Sequence, residues 1–258
     1  MRKISASYII TNVGAPIKNG ILILNDDNSV ADLIDTNGIV KEIQDLEFYS
    51  GVLVPGFVDV FTLLSWSDLN ADQLKFTDSS ELKLQVSSDH SVDLSSVQRG
   101  INHLEAFGTK AAADFFPSHL SLPIKINSKV SFKDIHKDNL DEMICDSAYI
   151  SPEISYSILG RLFDCNISKN KTYCIGTGSL STHQKLSVFE ELKHLQSLIP
   201  NLNLLLLIEW GCLNGAKALR FDNLGSFEQG KYPGVNLITN VDYENFCLKP
   251  ESNLKVLI

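Results

Sequence analysis

The sequence predicts an α/β body flanked by β structure that both ends of the chain contribute. Three observations carry that prediction. The first 55 residues alternate short apolar runs with Asn- and Gly-rich turns. The middle alternates strand-like apolar runs with amphipathic helical stretches, and the tail returns to short β-like segments.

Taken in order, Ser7 to Val13, Gly20 to Leu24, Val30 to Ile34 and Ile39 to Leu46 read as strands. Lys18-Asn19-Gly20, Asn25 to Asn28 and Asn37-Gly38 separate them, and an Asn-Gly pair between β-like runs marks a hairpin. A small antiparallel sheet without a helix is expected there. Gly51 to Leu63 is nearly continuously apolar, as in a strand buried on both faces. Ser95 to Phe107 has helical periodicity and ends at Gly108, a C-cap residue. Lys110 to Phe116 is the next buried strand, and Pro123 to Phe132, Asp141 to Tyr149 and Thr172 to Gly176 are read as further strands. Leu186 to Leu198 is an amphipathic helix, and Asn203 caps a second late helix that runs to Ala218. Val235 to Thr239 and Leu254 to Ile258 are the closing strands. Strands at both ends around an α/β middle point to one satellite sheet built from the two termini.

Composition excludes several classes. Hydrophobic residues make up 44% and charged residues 21%, ordinary values for a globular protein, and no apolar run approaches the roughly 18 residues of a membrane span. The first twelve residues lack the apolar core and cleavage site of a signal peptide, so a cytoplasmic location is expected. Net charge is −9 and the basic residues are scattered, which argues against a nucleic-acid surface. The five cysteines are odd in number and form no C-x-x-C pair, as expected of reduced thiols. The acceptor-like triplets at Asn166 and Asn170 carry no weight without a secretion signal.

Three stretches carry a family resemblance. Gly51 to Leu64, GVLVPGFVDVFTLL, resembles a first barrel strand ending in Pro-Gly-Phe-x-(Asn/Asp)-x-His-x-His. Cys174 to Thr182, CIGTGSLST, resembles an eighth strand with Gly-Thr-Asp-Ser. Leu213 to Ile238 resembles the closing helix x-Asn-Gly-Ala-x-Ala-Leu and the Gly-Ser-x-x-x-Gly-Lys turn into a last strand. Together they are similar to the amidohydrolase superfamily, in its cytosine-deaminase-like and chlorohydrolase-like branch. The resemblance covers both ends well and the middle poorly. It implies a distorted (β/α) barrel over 56–220 and a composite β-sandwich from 1–55 and 221–258. It also implies chemistry at the barrel mouth, with zinc or iron activating water. Only 165 residues lie between Gly56 and Arg220, against about 250 for eight units, so an incomplete barrel of about five units is expected.

The resemblance places two histidine ligands at positions 61 and 63, where alternate strand residues would reach one cation. This chain has Phe61 and Leu63 there, and the eighth-strand aspartate is replaced by Gly178. The family histidines of the fifth and sixth strands have no counterpart, and none of the six histidines forms H-x-H or H-x-x-x-H. Other residues with a claim on the mouth are Asp59, Asp114, His119, Ser179 and His183, although Ser179 lies in no nucleophile elbow. Asp59 is read chiefly as a support of the fold, and Glu153 as a first-turn helix acid.

These readings predict a protein that has lost metal-dependent hydrolysis, uses no cofactor and serves a binding or assembly role. The alternatives are a small-molecule binding module at the old mouth and a repurposed hydrolase acting on non-peptide C–N bonds. An incomplete barrel exposes sheet edges, so a homodimer that covers them is expected.

Overall fold

The computed structural model describes residues 1–69, 91–136, 147–150 and 172–258. The 141–146 part of the expected Asp141 to Tyr149 strand, together with His90, Glu153, Cys145, Cys165 and the triplets at Asn166 and Asn170, lies outside them.

Both chain ends meet in one seven-stranded sheet. Its strands are β1 (Arg2–Ile9), β2 (Ile17–Lys18), β3 (Ile21–Leu24), β4 (Val30–Ile34), β5 (Leu46–Pro55), β11 (Val235–Thr239) and β12 (Asn253–Val256). The order is β12-β11-β5-β1-β3-β4, with β2 pairing beside β1. The expectation of a purely antiparallel opening block is corrected, because β1 and β5 run parallel, with Ile4 opposite Glu47 and Ile9 opposite Leu53. The first strand also lies earlier than expected, since Asn12 at φ 60° ends the extended path before Val13. Ile39 to Leu46 is not a strand. Ile39 and Val40 are exposed, and pairing starts only at Leu46.

The apolar run from Gly51 to Leu63 is two strands rather than one. Gly56 is the switch between β5 and β6 (Phe57–Thr62): its N–H donates to Pro233 O at 2.9 Å, and the next N–H, of Phe57, donates to Gly108 O at 3.0 Å. A Cβ on Gly56 would lie 2.4 Å from Pro233 O and 2.3 Å from Lys110 Cγ, so only glycine lets the chain cross between sheets there.

From β6 to β10 the strands pair in parallel. Helix α1 (Leu94–Ala106) starts at Asp93, whose carboxylate accepts from Ser95 N, and ends into Gly108 at φ 73°. It leads into β7 (Thr109–Phe115), which pairs with β6 and with β8 (Ser131–Ile135). The strand expected over Pro123 to Phe132 is corrected. Its first part is the short helix α2 (Leu122–Ile126), with Pro123 in the first turn where its missing N–H costs nothing, and pairing begins at Ser131. On the other side β10 (Thr172–Ile175) pairs with β9 (Ser147–Ile150). A parallel bridge between Thr62 and Gly178 joins the two groups. Thr177 N and Gly178 N both donate to Phe61 O, at 3.1 and 2.8 Å, and Leu63 N donates to Gly178 O at 2.9 Å. The result is an open arc in the order β8-β7-β6-β10-β9. Among the described residues β8 and β9 pair with no further strand.

Helix α3 (Val188–Leu198), capped by Ser187, and α4 (Leu204–Ile208), capped by Asn203, cover the arc. The expected single helix to Ala218 widens into a π-turn over Glu209–Asn214 before α5 (Gly215–Leu219) ends at Arg220 in the left-handed region. Phe57, Ile175, Phe189, Leu192, Leu207 and Ile208 share the main core, whereas Ile4, Leu22, Leu53 and Leu237 belong to the core of the composite sheet. No helix among the described residues is long and apolar enough to cross a membrane.

Candidate functional site

The carboxyl ends of β6, β7 and β10 bring positions 61, 63 and 178 together through the bridge just described. Phe61 is 8% exposed, and its ring centroid lies 4.8 Å from that of Phe115. Leu63 is fully buried in the same cluster, with Trp66 and Phe116 packed against it. Gly178 sits at φ 71°, a backbone shape that disfavours any side chain. Gly176 approaches so closely that an added Cβ would lie 2.5 Å from Phe61 Cβ. The positions where the resemblance places metal ligands carry buried hydrocarbon or no side chain.

Two buried carboxylates flank this cluster, and both are engaged. Asp59 Oδ1 accepts from Phe61 N and Thr177 N, each at 3.1 Å, while Oδ2 meets Thr177 Oγ1 at 2.5 Å. The residue therefore clasps β6 to the turn after β10. Burial outweighs these donors and pushes its carboxyl up to about 7, with a smaller contribution from the like charge of Asp114. Asp114 Oδ1 accepts from Leu64 N at 2.9 Å, and its Oδ2 lies 2.6 Å from Lys125 Nζ. Lys125 also reaches Asp134 Oδ1 at 2.5 Å, so one buried ammonium bridges two carboxylates. Burial raises the Asp114 carboxyl, and Lys125 opposes that rise.

The remaining residues singled out from sequence each have a local setting of their own. Ser179 Oγ donates to Trp66 O at 3.2 Å and also meets Ser181 Oγ at 3.0 Å, so it braces a turn. His183 is buried, with Nδ1 at 2.7 Å from Thr182 Oγ1 and Nε2 at 3.9 Å from Glu191 Oε1. His119 is exposed in a 3-10 turn. Sequence reading missed Thr177 and Lys125, the partners that occupy the two aspartates. Pro123 placed after Ser118 and Ser121 was the one local sign of a helix that would turn Lys125 inward.

A divalent cation needs several lone-pair donors converging on one point. Positions 61, 63 and 178 supply none, Asp59 is held by three donors, and Asp114 is neutralised by Lys125. Among the described residues no group of three or more His, Cys, Asp or Glu side chains is arranged to hold a metal ion. The described residues do not fit the metal that the resemblance implies.

No family model and no curated protein matches the sequence. Solved structures do match in fold. A zinc-bound adenosine deaminase from Xanthomonas campestris superposes with a TM-score of 0.60 at 14% identity, over 96% of this chain and 86% of that one. The guanine deaminase of E. coli gives 0.59 at 13% identity, over 92% and 89%. The zinc complex of atrazine chlorohydrolase from Arthrobacter aurescens gives 0.60 at 10% identity, over 92% and 86%. In fold, this chain is similar to these two deaminases and this chlorohydrolase.

Proposed function

We propose that this chain keeps the amidohydrolase fold without metal-assisted hydrolysis at its barrel mouth, and that it acts as a binding or assembly partner. The observation that carries this reading is the occupation of the mouth. Phe61 and Leu63 are buried hydrocarbon side chains, and the two buried carboxylates beside them are committed to Thr177 and to Lys125. A general base must be free to take a proton from water, and a metal ligand must turn its lone pairs to the cation. Asp59 and Asp114 do neither in this arrangement. Self-association through β8 and β9, which pair with no further strand among the described residues, belongs to the same reading, because an uncovered strand edge is a template for pairing.

The test is turnover after incubation with zinc or iron, using adenosine, guanine and atrazine, the compounds named for the structural neighbours. The expected result is no release of ammonia or chloride above the buffer blank. Metal-dependent turnover that disappears in Asp59→Asn or Asp114→Asn would overturn the reading.

A further inference from the structure

A concave site lies on the opposite side of the arc from the mouth, where the amino-terminal ends of β7 and β8 meet the chain after α5. It is a cleft of about 540 Å³, within the usual range for small-molecule sites. Lys110, Lys129 and Arg220 line it, together with the rings of Phe221 and Tyr232, and Asp222 is the one carboxylate in its wall. Three cations around one cleft stand out in a chain whose net charge is −9.

The cleft is built rather than incidental. The stem of Lys110 lies across Gly56 and Gly234, where an added Cβ would come within 2.3 Å of Cγ and 2.4 Å of Cε. Two residues without side chains therefore pin that stem against the backbone at the junction between the two sheets. Burial lowers the Lys110 ammonium below the usual lysine range, and the like charge of nearby Lys129 adds to that. Glu105 attracts Lys110 weakly, but its carboxylate already accepts from Ser128 Oγ and Lys129 N, each at 2.8 Å. Among the described residues none of the three cations has an ion-pair partner. The like charges of Lys110 and Lys129, held close together, raise the free energy of the empty cleft, and a bound anion relieves that repulsion. Arg220, in the left-handed cap of α5, adds a planar guanidinium suited to two-point recognition of phosphate or carboxylate oxygens.

We propose that this cleft binds a small organic anion with at least two negative charges, carried on phosphate or carboxylate groups and set against an apolar portion that packs on Phe221 and Tyr232. The site is independent of the reading of the mouth, and neither stands or falls with the other.

Calorimetric titration of the full chain with pyrophosphate and with citrate, at low salt, tests it. The expected result is saturable one-to-one binding of at least one probe, weakened at least tenfold in Lys110→Met, which keeps the aliphatic stem. The probe that binds tighter identifies phosphate or carboxylate as the recognised group. Lys129→Met combined with Arg220→Asn, two exposed positions away from the core, is the second variant should Lys110→Met fail to fold. Absence of saturable binding by both probes, or binding of equal strength in the folded variants, would overturn the proposal.

Discussion

The buried ion triad at the mouth gives the sharpest mutational test. In Lys125→Met the stem keeps its packing, but Asp114 loses its partner at 2.6 Å and retains only Leu64 N at 2.9 Å and the more distant Thr62 hydroxyl. Removing one member of a buried pair costs about 3–5 kcal/mol, because a charge is left in the core without compensation. Asp114 can escape part of that cost by taking up a proton, so about 3 kcal/mol is expected at pH 7.5. For a chain of this size that lowers Tm by roughly 6–12 °C. The pH dependence follows from the direction of the shift. Burial raises the Asp114 carboxyl in the folded state, so the folded protein holds this proton more tightly than the unfolded chain does. That stabilisation is complete below the unfolded pKa and fades as pH rises through the folded one. Losing Lys125 lifts the folded value further, so the deficit of the variant grows with pH and shrinks in acid. Urea denaturation followed by the fluorescence of Trp66 and Trp210 measures it. The double variant Asp114→Asn/Lys125→Met is expected to recover much of the loss, with a coupling of about 1–3 kcal/mol. A deficit under about 1 kcal/mol, or one that does not change with pH, would refute the description of Lys125 as the partner that neutralises Asp114.

Other consequences are equally concrete. Asp59 has a folded pKa of about 7, above its unfolded value, so it contributes stability that is present in full below about pH 4 and lost as pH rises through 7. Asp59→Asn keeps an acceptor for both backbone donors, and it should flatten the pH 5–8 stability profile by up to about 1.4 kcal/mol per unit; an unchanged profile would contradict the assignment. Gly108→Ala places a Cβ at φ 73° and 2.2 Å from Asn236 Oδ1, where Asn236 also donates to Gly108 O at 3.0 Å. A loss of about 2–4 kcal/mol in a chemical denaturation curve is expected from left-handed strain and overpacking together, and a neutral result would mean that this junction is not tight. Sedimentation velocity at micromolar concentration should show a dimer if the open edges at β8 and β9 are covered by a second copy, and a persistent monomer would count against that.

Much of the architecture was legible because its signals are local. Val30–Ile34 is bounded by the Asn25 to Asn28 turn, and α1 is bounded by Asp93 and Gly108, so sequence and structure agree there within a residue or two. What was illegible depends on distant partners. The run from Gly51 to Leu63 carries no break in hydrophobicity at Gly56, because the strands on both sides of it are buried, and the switch is visible only in the approach of Pro233 and Lys110. The parallel pairing of β1 with β5 is likewise a long-range choice that alternation cannot announce. At the mouth, the nature of positions 61, 63 and 178 could be read directly, since a missing side-chain donor is a property of the residue itself. That Asp59 and Asp114 are already committed could not be read, because Thr177 lies 118 residues from the first and Lys125 sits in a helix that resembles a strand in sequence.

Among the described residues the mouth offers no donor set for a cation. Elemental mass spectrometry of the purified chain, after equilibration with excess zinc and removal of unbound metal, measures it directly. No stoichiometric zinc is expected, and no change in zinc content on Asp59→Asn or Asp114→Asn. One zinc retained per chain, and lost on replacing either aspartate, would contradict it.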